Sequence, residues 1–337
     1  MITQREKNIL EAIVGEYIST AMPVASGTVA QRHGLGVSPA TVRHEMANLE
    51  DEGYIHRTHS SAGSVPSDKG YRHYVESLPD ITEPSAEIRG LLQQKFQSAN
   101  PDIEVWTRLA AMALSEVVRN LVIVSPPRLP QARLRHIELV YLQEFVVLLV
   151  LVLHETKLRQ QLVYLETPLS HGDAIQVANK LNYHFAGLTG EAIRNSNDDL
   201  SPIEGKVTKA ALHLLGATDK EAYIEYHSDG LRHILGQPEL MESSRAYTVA
   251  AILENGSLVR TLLGATPRNG IRVIIGEENI ENALHPFSIV LCSYGLPEGA
   301  VGTILALGPT RMEYPRTITT ANYMSGLMTQ LLASVYG

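Results

Sequence analysis

The sequence predicts a multidomain α+β chain: a winged helix-turn-helix at the N-terminus, then an interrupted α+β body. Three observations carry this. Residues 1–78 hold three short helical patterns with clear start and stop signals; a strand-like run and a Ser/Gly/Pro loop follow the third; and the rest alternates strand-like and helical segments, including a three-strand meander. The 337 residues allow two or three domains and a sizeable core. Hydrophobic residues at 44% and charged residues at 19%, without a biased tract, exclude a disordered or fibrous chain.

In the first helix Thr3 and Glu6 fit a capping box, and Ile9, Leu10, Ile13, Val14, Tyr17 and Ile18 recur at helical spacing until Pro23 approaches. Ser26 is placed to cap a second helix running to His33, with Gly34 as its left-handed stop. Ser38 caps a third helix with Pro39 at its first position, Val42, Met46 and Leu49 as its buried stripe, and Gly53 as its end. Two helices joined by a Gly-containing turn form a helix-turn-helix. Residues 54–58 then alternate like a strand, residues 60–67 read as a loop, and residues 69–75 return to the body, which together make a wing.

Pro79 and Pro84 mark a boundary, and residues 79–101 read as a linker. A helix is expected over 103–119 and a strand at Leu121–Val124, stopped by Pro126 and Pro127. The runs 137–142, 145–154 and 161–165 suit an antiparallel meander, followed by helices at 173–186 and 204–215. Strands at 222–226, 271–275, 289–293 and 300–307 then alternate with helices at 243–253, 256–263 and 319–335. If Leu121–Val124 pairs with residues 222–226, the meander and its helices are an insertion into a five-stranded domain. In the other division, the meander belongs to the main sheet and only the helices are inserted. The first is preferred because each unit then has its own sheet and helices.

Cys292 is the single cysteine, so neither an internal disulfide nor a Cys-rich zinc site can form, and a reducing compartment is expected. The first seven residues are charged without an apolar run behind them, so no signal peptide is expected. The most apolar stretch, 145–153, is far below the roughly 20 residues of a spanning helix, so no membrane partner is expected. The 13 histidines are scattered, and zincin, dinucleotide, Walker and GxSxG patterns are absent; no metal, cofactor or catalytic residue is assigned.

A helix-turn-helix presents the start of its second helix to the major groove. Away from the buried stripe stand Ala40, Thr41, Arg43, His44 and Asn48. Arg43 suits bidentate bonds to guanine, His44 or Asn48 a base edge, and Ala40 or Thr41 a thymine methyl. Ser26, Thr28 and Ser38, at helix starts, suit phosphates, and on the wing Arg57, His59, Ser64, Lys69 and Arg72 are the candidate DNA-facing groups. The net charge of -8 argues against a bulk nucleic-acid binder, and residues 1–78 alone carry seven Lys/Arg against nine Asp/Glu. From Gly53 to Val75, however, three basic residues stand against Asp68 alone, so a local basic face remains available. The competing readings are a winged helix used for protein contact, with Arg43 paired to Glu50 or another acid, and a regulator whose strand-rich body encloses a small-molecule effector.

At these residues the sequence resembles the heat-inducible transcription repressor family HrcA. The matching text includes Tyr17-Ile18-Ser19-Thr20, Val37-Ser38-Pro39-Ala40-Thr41-Val42-Arg43, His59-Ser60-Ser61-Ala62-Gly63 and Asp68-Lys69-Gly70-Tyr71-Arg72. Leu235-Gly236-Gln237-Pro238-Glu239, Ile275-Gly276-Glu277-Glu278-Asn279 and Gly308-Pro309-Thr310-Arg311-Met312-Glu313-Tyr314 extend it nearly end to end. The resemblance implies a winged-helix domain at 1–78, a GAF-like domain formed by 102–127 and 221–337, and an inserted dimerising domain at 128–220. It also implies a homodimer that represses chaperone operons from an inverted-repeat operator on double-stranded DNA in the bacterial cytosol, nucleoid-associated, with activity modulated by the chaperonin GroEL. Gly27 and Ser64 stand where the family usually has Arg, and His44 where many members carry Asn. Each lost phosphate contact would flatten the salt dependence of binding by roughly one unit of log-log slope.

Overall fold

The computed structural model describes residues 2–32, 36–57, 63–79, 83–97, 102–127, 132–153, 158–196, 199–220, 225–240, 243–254, 256–267, 270–296 and 300–336. The chain forms two compact units, Met1–Pro127 with Ile224–Gly337, and Arg128–Tyr223.

The first unit begins with a head of helices α1 (Gln4–Thr20), α2 (Ser26–Arg32) and α3 (Pro39–Asp51), strands β1 (Ile55–Arg57) and β2 (Ser64–Pro66), and helix α4 (Asp68–Ser77). Thr3 and Glu6 form the reciprocal capping box of α1. The Ser38 hydroxyl accepts the Thr41 N–H at 3.1 Å, which starts α3 with Pro39 in its first turn. Gly53, at φ +77°, ends it: its N–H reaches the Glu50 carbonyl, and the Tyr54 N–H reaches Leu49. Three sequence expectations need correction. Ser26 is the first residue of α2 rather than its cap, because the Ala25 carbonyl already accepts the Val29 N–H. The loop at 60–67 holds β2, paired antiparallel with β1. The return at 69–75 is α4, started by Ser67, whose hydroxyl accepts the Gly70 N–H at 3.1 Å. His33 and Gly34 lie outside the described residues.

The segment expected as a linker contains helix α5 (Ala86–Gln97), which buries Leu92 and Phe96. Its partner α6 (Ile103–Val118) is capped by Asp102, and strand β3 (Leu121–Val124) follows, buried at every residue. The chain rejoins this unit at β7 (His227–Asp229); of the strand expected at 222–226, residues 222–224 lie outside the described residues, and Glu225 and Tyr226 belong to no strand. Next come α10 (Leu231–Leu235), α11 (Ser243–Glu254), α12 (Gly256–Gly264), β8 (Ile271–Ile275), β9 (Phe287–Gly295), β10 (Val301–Pro309) and α13 (Tyr314–Tyr336). The antiparallel sheet runs β7-β3-β10-β9-β8. Both faces are filled, which the alternation explains: Val122 and Val124 join the core made with α6 and α13, while Leu121 and Ile123 face Ile234, Val249 and Leu262 of α10 to α12.

The second unit has strands β4 (Leu134–Gln143), β5 (Val146–Leu153) and β6 (Leu158–Tyr164), then helices α7 (His171–Phe185), α8 (Gly190–Arg194) and α9 (Pro202–Lys220). The three strands form the antiparallel meander read from the sequence. Its inward residues, among them Ile137, Leu149 and Val163, pack against Leu181 and Phe185 of α7 and Val207 of α9.

Candidate nucleic-acid interface

Helix α3 owes its position to its apolar stripe. Val42, Met46 and Leu49 are buried in the head core, which turns Ala40, Arg43 and His44 to solvent. Ser38 is exposed and Thr41 half-buried at the helix start, where free backbone N–H groups and the helix dipole favour an anion. Among the described residues Arg43 has no ion-pair partner, and Glu50, its expected acid, is taken by Arg57 at 3.1 Å. A long cation in open solvent beside a helix start has the reach and donors to meet a groove edge. Further acids on this side are also engaged, Glu45 by Arg5 at 3.3 Å and Glu16 by Arg32. The Glu6 carboxyl is held below its ordinary value, first by the Thr3 backbone N–H, against the opposing effect of burial.

Other expected DNA-facing groups do not gather here. Asn48 turns toward α1 and donates to Glu6 at 3.3 Å, because its position on the helix falls beside the buried stripe. Ser64 is 1% exposed: β2 bridges to Val24, which folds the hydroxyl inward. Lys69 donates to the Glu52 carbonyl at the end of α3 at 2.6 Å and sits over the Tyr54 ring at 4.1 Å, so it compensates a helix terminus. Arg72 points away from α3 and binds Glu278. Ser26 and Thr28 are half-buried along α2, and His59 lies outside the described residues. His56, exposed next to Arg57 on β1, is a wing group that the sequence reading did not assign; its place outside the buried strand position Ile55 was the available signal.

Among the described residues no cluster of metal-ligating side chains occurs. Cys292 is fully buried on β9, and desolvation pushes its thiol up to about 12, so it is no nucleophile at neutral pH.

Residues 104–318 match the family described as the HrcA protein C-terminal domain, and residues 26–68 match a DeoR-like helix-turn-helix domain. The chain is 39% identical over 338 residues to the heat-inducible transcription repressor HrcA of Dehalococcoides mccartyi, covering 100% of this chain and 98% of the relative. It is 35% identical to the protein of the same name from Herpetosiphon aurantiacus, covering 100% and 97%. A crystal structure described as a hypothetical protein shares the fold, with a TM-score of 0.64 at 22% identity over 99% of both chains.

Proposed function

The chain belongs to the HrcA family of heat-inducible transcription repressors, with a helix-turn-helix DNA-binding domain, and from that premise we propose that it acts as a homodimer on an inverted-repeat operator ahead of chaperone operons. The observation that carries this reading is the free N-terminal half of α3, where Ala40, Arg43 and His44 face solvent with Ser38 at the helix start. Arg43 reads a base edge, His44 and Thr41 assist, Ser38, Ser26 and Thr28 hold phosphates, and Arg57, exposed on the wing, adds a phosphate contact when it exchanges its Glu50 partner for the DNA backbone. Asn48, Ser64, Lys69 and Arg72 have structural partners or burial and are left out of the DNA contact set.

The division into a head at 1–78, a GAF-like domain at 102–127 with 221–337, and a dimerising insertion at 128–220 belongs to the same proposal. Two observations support it. The five-stranded sheet covered by helices on both faces fits a GAF-like domain, and the apolar packing on each face favours a filled core over an effector cavity. The outer face of the meander is apolar: Val140, Leu148 and Leu162 align across three strands, and Leu158 and Tyr164 are 67% and 65% exposed. A face of this kind, uncovered by the unit's own helices, suits a two-fold contact with a second copy. One recognition helix reads too few base pairs for genomic specificity, which two-fold pairing on a palindrome remedies.

The family resemblance adds that GroEL sets the fraction of active repressor, and that the protein works in the bacterial cytosol at the nucleoid. Among the described residues no helix is long and apolar enough to cross a membrane. A band-shift with the inverted repeat and a scrambled duplex of equal length tests the reading. Tight binding to the repeat alone is expected, with a larger active fraction in the presence of chaperonin. Equal affinity for both duplexes sinks the operator reading, and an unchanged active fraction sinks the chaperonin arm.

A further inference from the structure

Of the two α4 cations that look from the sequence like DNA contacts, Lys69 stays within the head and Arg72 points instead at the body. Asp68, Tyr71 and Arg72 share one face of α4 at helical spacing. The Arg72 guanidinium forks onto Glu278, with Nε donating to Oε1 at 2.7 Å and Nη2 to the other carboxylate oxygen; Nη2 also donates to the Val273 carbonyl at 2.8 Å. Glu278 is itself fixed, since it accepts the Ile275 N–H at 2.9 Å. One turn earlier, the Glu277 N–H donates to Asp68 Oδ2 at 2.8 Å. Between these polar bonds and the core, the buried rings of Tyr71 and Tyr314 meet at 5.9 Å.

A second grip lies at the other end of the head. Helix α1 has no basic residue in its last turn, and the body supplies one: Arg311 donates to the Ile18 carbonyl at 3.1 Å. Arg311 is in turn held by both Glu239 carboxylate oxygens and by Gln237 at 3.3 Å.

Apolar contact alone tolerates sliding, whereas a bidentate fork and a directed carbonyl bond fix rotation as well as distance. The head is tied internally too. Asn48 reaches Glu6, Arg5 reaches Glu45, and Lys69 holds the end of α3 to α4. An orientation set at α1 and α4 is thereby passed on to α3.

We propose that Asp68, Arg72 and Arg311 are positioning residues for operator binding, which fix the reading helix relative to the body and so set the half-site spacing the dimer accepts. This rests on the dimeric-operator reading above. Once one head is bound, the second half-site sees the other head at an effective concentration that is high only if that head is held at the matching separation and angle. Releasing the grip spreads the head over other orientations, lowering affinity at the native spacing and weakening discrimination against wrong spacings. A single half-site needs only one head and is indifferent to the grip.

The test uses the full-length protein with Arg72→Gln, Glu278→Gln, the double variant, and Arg311→Gln at the independent second contact. Glu278→Gln keeps an oxygen for the Ile275 N–H. Binding is measured on the inverted repeat, on the repeat with its spacer lengthened by about five base pairs (half a helical turn), and on one half-site, with thermal melting followed in parallel. We expect Arg72→Gln and Glu278→Gln each to lose about tenfold on the native repeat, the double variant to lose no more, discrimination against the lengthened spacer to shrink, and half-site binding to stay within about twofold. Arg311→Gln gives the same pattern, which keeps the test decisive if a substitution at 72 or 278 unfolds the head. Native-repeat binding unchanged in folded variants overturns the proposal. It is equally overturned if Arg72→Gln weakens all three duplexes alike while Glu278→Gln weakens none, the signature of a phosphate contact. A wild-type protein that does not prefer the repeat overturns the operator reading first, and the positioning role falls with it.

Discussion

Gly276 adopts a left-handed backbone, φ +53°, directly against the Asp68 carboxylate, and a Cβ at that position would overlap the carboxylate atoms. Gly276→Ala therefore incurs both a left-handed penalty of about 1–2 kcal/mol and the displacement of Asp68. A lower Tm and faster proteolytic release of the head are expected. Adding Asp68→Ala opens space, so the double variant loses less than the sum of the two singles; strict additivity would count against direct contact.

Arg43→Ala weakens operator binding by about 1–3 kcal/mol and relaxes specificity at one base pair, with little change in Tm because the side chain is exposed. Asn48→Ala behaves oppositely, lowering stability through the lost Glu6 bond while leaving base preference intact. Fluorescence anisotropy on single-base operator variants separates the two; an Asn48→Ala protein with altered base preference would contradict the assignment.

Leu162→Glu, on the outer face of the meander, places a charge in the row of Val140 and Leu148. Sedimentation should find a folded monomer that binds the half-site but loses the paired site. A variant that remains dimeric excludes that face as the interface.

Acid weakens the grip in a definite direction. Burial opposes the Glu278 charge, but the bonds from Arg72 and the Ile275 N–H outweigh it and hold the carboxyl below its ordinary 4.5. A depressed carboxylate contributes stability that is complete above the unfolded value and lost as pH falls through the folded one. Thermal stability should thus be level from neutral pH to about 5 and fall below it, with a shallower fall in Glu278→Gln. An equally steep fall in that variant would remove Glu278 from the acid response.

The thiol of Cys292 should resist a disulfide reagent in the native protein and react fully in denaturant, because burial pushes it up to about 12. Rapid native labelling would mean that β9 opens readily.

What was legible in the sequence was what is decided locally. Thr3 with Glu6, and Ser38 with Pro39, announced α1 and α3, since a cap and its partner lie within four residues and no distant group is needed. The meander was legible because period-2 alternation survives in β4. The helix α5 was hidden by the prolines before it and by Gly90 at its middle, although its buried Leu92 and Phe96 sit four apart. The roles of Lys69 and Arg72 were illegible for a different reason. One partner is a backbone carbonyl, the other a carboxylate 206 residues away, and charge counting along a segment sees neither.

The interrupted sheet also bears on how the molecule is made. Strand β3 needs β10 for its neighbour, and the bonds between Ser125 and Thr303 join residues 178 apart. During synthesis β3 and the apolar faces of α6 must wait, uncovered, while the whole second unit and most of the remaining chain emerge. Closing so long a loop is entropically costly and slow, and the exposed intermediate is prone to aggregate. On a chain of this topology, the yield of folded protein is expected to be set by a race between closure and self-association.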